Sequence, residues 1–191
     1  MKRRGISWLL ALMGLVGLST VFWPGMPSAG RTSSPLVSLA ASWQWVLFDQ
    51  SVGRGEFEQA YLHADRALAL DPGAPEGWTT LANHLIFLRG SFQNEPDDAK
   101  RIEWMRAGLD VLFEGLLQSR DPGELHLVLG QTLTLYIAPL AAAEVDPLPW
   151  PGGAQAAQEQ GMDHLHKALE LHHPRAAKVL SIVDGAHDHD E

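Results

Sequence analysis

His166, Glu170 and His173 stand four and three residues apart, a spacing that puts two imidazoles and a carboxylate along one face of a helix. Such a set suits Zn²⁺ or Cu²⁺. The chain has nine histidines, and it closes on His187-Asp188-His189-Asp190-Glu191, a tail that binds cations loosely or simply stays solvated. Three features weaken the metal reading. His173 directly precedes Pro174, where a helix has to end. His164 and His166 are two apart and point in different directions. No His-Glu-x-x-His pair occurs. No resident metal or cofactor is expected. Catalytic patterns are missing too. There is no Gly-x-Ser-x-Gly elbow, and Gly53-Arg54-Gly55 and Gly152-Gly153 lack the strand-to-helix setting of a phosphate loop. Asp97-Asp98 is better explained as a negative helix start than as an acid/base pair. The chain is not expected to be an enzyme.

The elements that would position these residues are helical. With 191 residues and 46% hydrophobic side chains, the chain holds one ordinary domain plus an appendage. It has no cysteine, which excludes disulfides and thiolate chemistry. The appendage is residues 1–30. Lys2-Arg3-Arg4 precede an apolar run from Ile6 to Trp23, then Pro24-Gly25 and Ser28-Ala29-Gly30. A basic head before an apolar run marks an export signal or a membrane anchor. As a helix the run measures about 27 Å, against roughly 30 Å of hydrocarbon, so it is just long enough to span. The expectation is a single transmembrane anchor, or a signal peptide cut near Ser28-Ala29-Gly30, with the cationic head left in the cytoplasm. Four of the 14 basic residues lie before residue 35 whereas all 23 acidic residues come after it, so the remainder carries a net charge of −13 with histidines neutral. That surface repels phosphate backbones, and no nucleic-acid partner is expected.

Residues 31–34 read as a polar linker. Ser34-Pro35 starts a helix running to about Gln50, with Leu36, Leu39, Ala40, Trp43, Val46 and Leu47 assigned to its inward face. Gly53-Arg54-Gly55 turns the chain into a helix carrying Phe57, Ala60, Tyr61, Ala64, Ala67 and Leu68 on one side. Asp71-Pro72 ends it. Pro75-Glu76 opens the next, with Trp78, Leu81, Ala82 and Leu85 facing back and Gly90 at its end. Pro96-Asp97-Asp98 begins a long helix through Ile102, Met105, Leu109, Leu112, Phe113 and Leu116. Asp121-Pro122-Gly123-Glu124 resembles a capping box and starts a helix to about Ile137. Pro139, Pro147, Pro149 and Pro151 mark a loop holding Trp150. Helices from about Gln155 to Leu171 and from Pro174 to near Val183 complete the domain, 35–184, before a His/Asp-rich tail at 185–191. The fold class is all-α.

The stretch from Phe57 to Leu85 resembles a tetratricopeptide (TPR) repeat, a degenerate 34-residue helix–turn–helix pattern. With Pro72 as the terminal proline, Ala60 and Ala67 fall on small-residue positions. Trp78, Leu81 and Ala82 fall on the opening tryptophan and the Leu-Gly pair of the next unit. Leu129-Gly130, Gly161, Leu165, Ala168 and Pro174 suggest a third. The extra residues around Gly90–Asp98 and the proline-rich loop depart from the pattern. The resemblance implies a TPR-like stack of about three irregular antiparallel helix pairs. It further implies that an extended peptide lies along the first helix of each pair, facing Trp45, Asp49, Thr79, Asn83, Gln131 and Thr134. Trp150 either covers that groove as a partner contact or packs back over the bundle.

The expected function is therefore that of an exported, membrane-anchored protein–protein interaction or scaffold protein. Its partner would be another protein or peptide, and residues 6–23 would hold it in a bacterial inner membrane with the domain in the periplasm. A cleaved signal would instead release it to the periplasm. The competing expectation is a small envelope protein that binds or handles metal through its histidine-rich carboxyl end.

Overall fold

The apolar periodicity translates into seven helices and no strand among residues 34–143 and 149–187, which are the residues described by the computed structural model. The expected anchor or signal at 1–30, most of the 31–34 linker and the tail beyond His187 lie outside the described residues.

Helix α1 spans Pro35–Gly53, its first turn capped by the Ser34 hydroxyl, which accepts from the Val37 amide at 3.4 Å. Gly55, at φ +73°, makes the left-handed turn into α2, Phe57–Leu70. Helix α3 covers Pro75–Asn83 and runs on through a π-helical turn, His84–Arg89, to Gly90. Helix α4, Asp98–Gln118, starts where the Asp97 carboxylate accepts from the Lys100 amide at 3.1 Å. Helix α5, Pro122–Thr132, likewise continues through a π turn, Leu133–Ile137, into Ala138–Ala142. Helix α6 is Gly153–Glu170 and α7 is Ala176–His187.

Successive helices pack as antiparallel pairs. In α1 and α2, Phe48 nests on Ala60 and Ala64 while Gln44 and His63 hydrogen-bond at 2.8 Å, so the chain directions oppose. In α3 and α4, Trp78 crosses Gly115, Ile86 crosses Gly108 and Gly90 meets Met105. A Cβ on Gly108 would sit 2.9 Å from the Ala82 carbonyl oxygen, so these two backbones approach as closely as glycine allows. In α5 and α6, Gly130 lies against Leu165 and the Gly161 carbonyl, while Gly161 lies against Leu133 and Thr134. Helix α7 packs on α6 through Val179, Leu180 and Val183 around Leu165 and Ala168. The main core runs through Trp78, Ile86, Met105, Leu109, Leu112, Leu125, Leu129, Leu133 and Ile137, between α3, α4 and α5. The indole N–H of Trp78 donates to the Pro72 carbonyl at 2.7 Å, which ties the core to the turn before α3.

Three local expectations are corrected. The face of α1 assigned inward points out: Leu36, Leu39, Ala40, Trp43 and Val46 are exposed, and Ala41, Phe48 and Ser51 are buried. Helix α1 is apolar nearly all round, so periodicity could not say which side α2 would cover. Pro139 does not end α5. The Ala138 amide bonds Leu133 five residues back, and this π register lets the helix pass a proline that has no amide to donate. The extended α5, Pro122–Ala142, is long and apolar enough to cross a membrane by length and composition, yet more than half of that stretch is buried inside the fold. Finally, Asp121 makes no capping bond, and the carboxylate of Glu124, its expected reciprocal partner, is bound to Arg175 and His173 instead.

Candidate functional site

The two π turns border one cleft. Thr79, Asn83 and Phe87 line it from α3 and its π turn. Val128, Gln131, Leu135 and Tyr136 line it from α5 and its π turn, and Glu124 and Arg175 close one end. The cleft has a volume of ≈ 500 Å³. A second depression, formed by Pro75, Glu76, Thr80 and Asp121, shares Thr79 and Glu124 with it. The geometry comes from the packing: the close glycine contacts of α3 with α4 and of α5 with α6 fix both backbones, leaving their far sides to face each other. A π turn widens one helical turn and rotates the residues beyond it, which brings Phe87 and Tyr136 into edge contact with centroids 5.0 Å apart.

The polar floor is the chemically distinctive part. Asn83 is exposed and Gln131 is half-buried, and among the described residues neither side-chain amide is engaged in a hydrogen bond. An amide offers two donors and a carbonyl acceptor, which matches a peptide backbone. The Thr79 hydroxyl donates to the Pro75 carbonyl at 3.0 Å, leaving its lone pairs to the cleft. At the closed end Arg175 donates to both Glu124 oxygens at 2.6 and 2.9 Å, and His173 meets Glu124 at 2.7 Å. Burial acts to raise the Glu124 carboxyl, but the bonds from Arg175 and His173 outweigh it and hold it below the usual carboxylate range. Burial also raises the Tyr136 phenol.

The other residues singled out from sequence lie elsewhere. Trp45 packs over Gly77 and edge-on to Phe48, within the α1–α2–α3 seam. Asp49 is exposed on α1. Thr134 is buried, donates to the Gly130 carbonyl at 2.8 Å, and lines a separate apolar hollow of ≈ 570 Å³ with Ala138, Pro139 and Val183. Trp150 packs back over the bundle, stacked on Phe113. Thr79, Asn83 and Gln131 are thus the three brought together. Phe87, Leu135 and Tyr136 were not singled out. Their signal in the sequence is that Asn83 and Gln131 each precede a run too apolar for a one-sided helix, His84–Leu88 and Thr132–Ile137.

Among the described residues no group of three or more His, Cys, Asp or Glu side chains is placed to hold a metal ion. His172 takes the left-handed conformation at φ +59°, and the His173 amide bonds the Ala168 carbonyl, which reverses the chain. His173 therefore leaves the face of His166 and turns to Glu124, while Glu170 pairs with Lys167 at 2.7 Å. His126 and His164 instead pair with each other across α5 and α6, Nδ1 to Nδ1 at 2.8 Å. A further polar cluster is structural: the Arg89 guanidinium lies 4.3 Å from the Phe57 ring centre and 4.7 Å from that of Trp104, beside Tyr61 and His84. Burial, then the Arg89 charge, lowers the pKa of His84 and leaves it neutral at pH 7.

No family model, curated protein or solved structure matches this chain.

Proposed function

We propose that this is an exported, membrane-anchored interaction protein of a bacterial envelope, with a TPR-like stack that holds an extended segment of a partner polypeptide in the α3–α5 cleft. The observation that carries this reading is the pair of unengaged amides, Asn83 and Gln131, set in one cleft beside the Phe87–Tyr136 aromatic edge. Amides spaced along a groove pair with a backbone whatever its side chains, and an adjacent apolar wall selects one or two of those side chains. The antiparallel pairs α1/α2, α3/α4 and α5/α6 support the TPR-like reading, since in such a stack the first helix of each pair lines the concave side. Here those helices are α1, α3 and α5, and two of them supply the cleft. The anchor is the run Ile6–Trp23 behind Lys2-Arg3-Arg4, with the acidic body on the far side of the inner membrane. The reading assigns the chain no reaction of its own.

Site-specific photo-crosslinking in intact cells tests it. A photoreactive residue at position 83 or 131 is expected to give one shared adduct, and the same residue at the exposed Glu58 on α2 is expected to give none. Identical adducts from all three positions, or none from 83 and 131, would reject the cleft as the binding surface. Protease added to spheroplasts checks topology: the body should be digested while Lys2-Arg3-Arg4 stays protected.

A further inference from the structure

The cleft leaves one large feature unexplained. Helix α1 presents Leu36, Leu39, Trp43 and Val46 to solvent with relative exposures of 78%, 67%, 58% and 44%. At steps of three, four and three residues they form one continuous stripe. It lies opposite Ala41, Phe48 and Ser51, the side that packs into the fold. Between Ser34 and Gly53 the only charged side chain is Asp49, near the helix end.

We propose that this stripe lies in the headgroup–acyl boundary of the membrane entered by Ile6–Trp23. The inference rests on the proposed anchoring of that run. Eleven residues, 24–34, join the apolar run to α1, and fully extended they reach about 38 Å at most. A spanning run would hold α1 within that reach of the bilayer surface, at high effective concentration, where even a small apolar stripe partitions. Trp43 stands mid-stripe, and tryptophan favours the interfacial zone, where its ring is apolar and its N–H is wet. The charge pattern fits a neutral contact. The body carries −13, yet α1 has no lysine or arginine, so the stripe engages lipid without depending on anionic headgroups. The same numbers disfavour a second copy as the occupant. Two bodies of −13 repel, and one stripe of four side chains falls well short of the ~800 Å² per partner of a stable protein interface.

The absence of cysteine permits a clean test on the whole chain. Single variants M13C, L39C, W43C and E58C are spin-labelled and reconstituted in phosphatidylcholine vesicles. Accessibility to oxygen, which concentrates in lipid, is then compared with accessibility to a water-soluble nickel chelate. The expected result is an oxygen-to-nickel ratio at 39 and 43 several-fold above that at 58, unchanged when a third of the lipid is phosphatidylglycerol. Water-like ratios at 39 and 43 with a lipid-like ratio at 13 overturn the inference and leave the anchor standing. Water-like ratios at all four positions overturn the anchor, and the inference with it. Dipolar broadening at 39 and 43, with both reagents excluded, assigns the stripe to a second copy and likewise overturns it. Retained helicity by circular dichroism confirms that each variant is folded.

Discussion

His164→Asn is the substitution that most directly reads the packing of α5 on α6. In the native protein His164 faces His126 across 2.8 Å, with Phe113 tilted over it at 5.8 Å and Asp163 and Lys167 as the nearby charges. One Nδ1 donates and the other accepts, so a proton on the accepting Nδ1 would set two N–H groups head to head. Burial, then the charge of His126, lowers His164 from 6.5 to about 4, with Asp163 opposing. The unfolded chain keeps the ordinary value near 6.5 and so takes up the proton first. The contribution of this histidine is complete above pH 6.5, falls as the pH drops towards 4, and changes no further below that. At about 1.4 kcal/mol per unit, the fully expressed shift would remove about 2 kcal/mol by pH 5. The ring keeps some solvent contact, and screening brings the expected loss to about 1 kcal/mol. Asparagine does not titrate and keeps a hydrogen-bonding atom near the Nδ1 position. Urea unfolding of residues 31–191 at pH 7 and pH 5 should show the native protein losing about 1 kcal/mol more than the variant. An equal or greater loss in the variant would refute the claim that this imidazole is held neutral by its surroundings.

Two further substitutions test the packing and the cleft. Gly108→Ala should destabilise by about 1–2 kcal/mol despite a gain in helix propensity, because the new methyl meets the Ala82 carbonyl and Ile86, whereas Gly185→Ala, with open space around it, should stabilise by about 0.5–1 kcal/mol. Opposite signs in urea unfolding are the expected result. Asn83→Ala with Gln131→Ala should leave the urea midpoint within about 0.5 kcal/mol of native, since neither amide is engaged, while weakening capture of the crosslinked partner about tenfold or more. A large drop in stability would show that the amides serve the fold instead.

How far the sequence spoke depended on how one-sided each helix was. Helix α2 was legible because Ala60, Ala64 and Ala67 alternate with charged residues, so only one face could be buried. Helix α3 was legible for the same reason, and α5 by its Asp121-Pro122-Gly123-Glu124 start. Their extent to Gly90 and to about Ile137 was legible too, but the π register was not, because a π turn leaves no local signature. Thr134 illustrates the consequence. The TPR resemblance placed it beside Gln131 in the groove, but the contacts of Gly130 with Leu165 and of Gly161 with Leu133 and Thr134 turn that side of α5 toward α6. The chain reversal at His172 was equally hidden, since a left-handed histidine is rarer than the glycine that usually marks such a point.

The passage of α5 through Pro139 also bears on how the chain is made. It creates a second 21-residue stretch with the length and hydropathy of a membrane span, Pro122–Ala142. The segment that covers its Leu165-facing side, α6, leaves the ribosome only afterwards. On the export route proposed above, a partly built molecule would offer the lipid phase a competitor to its own interior. Glu124, near the start of that stretch, is its only carboxylate, and Arg175 and His173 bind it once they arrive.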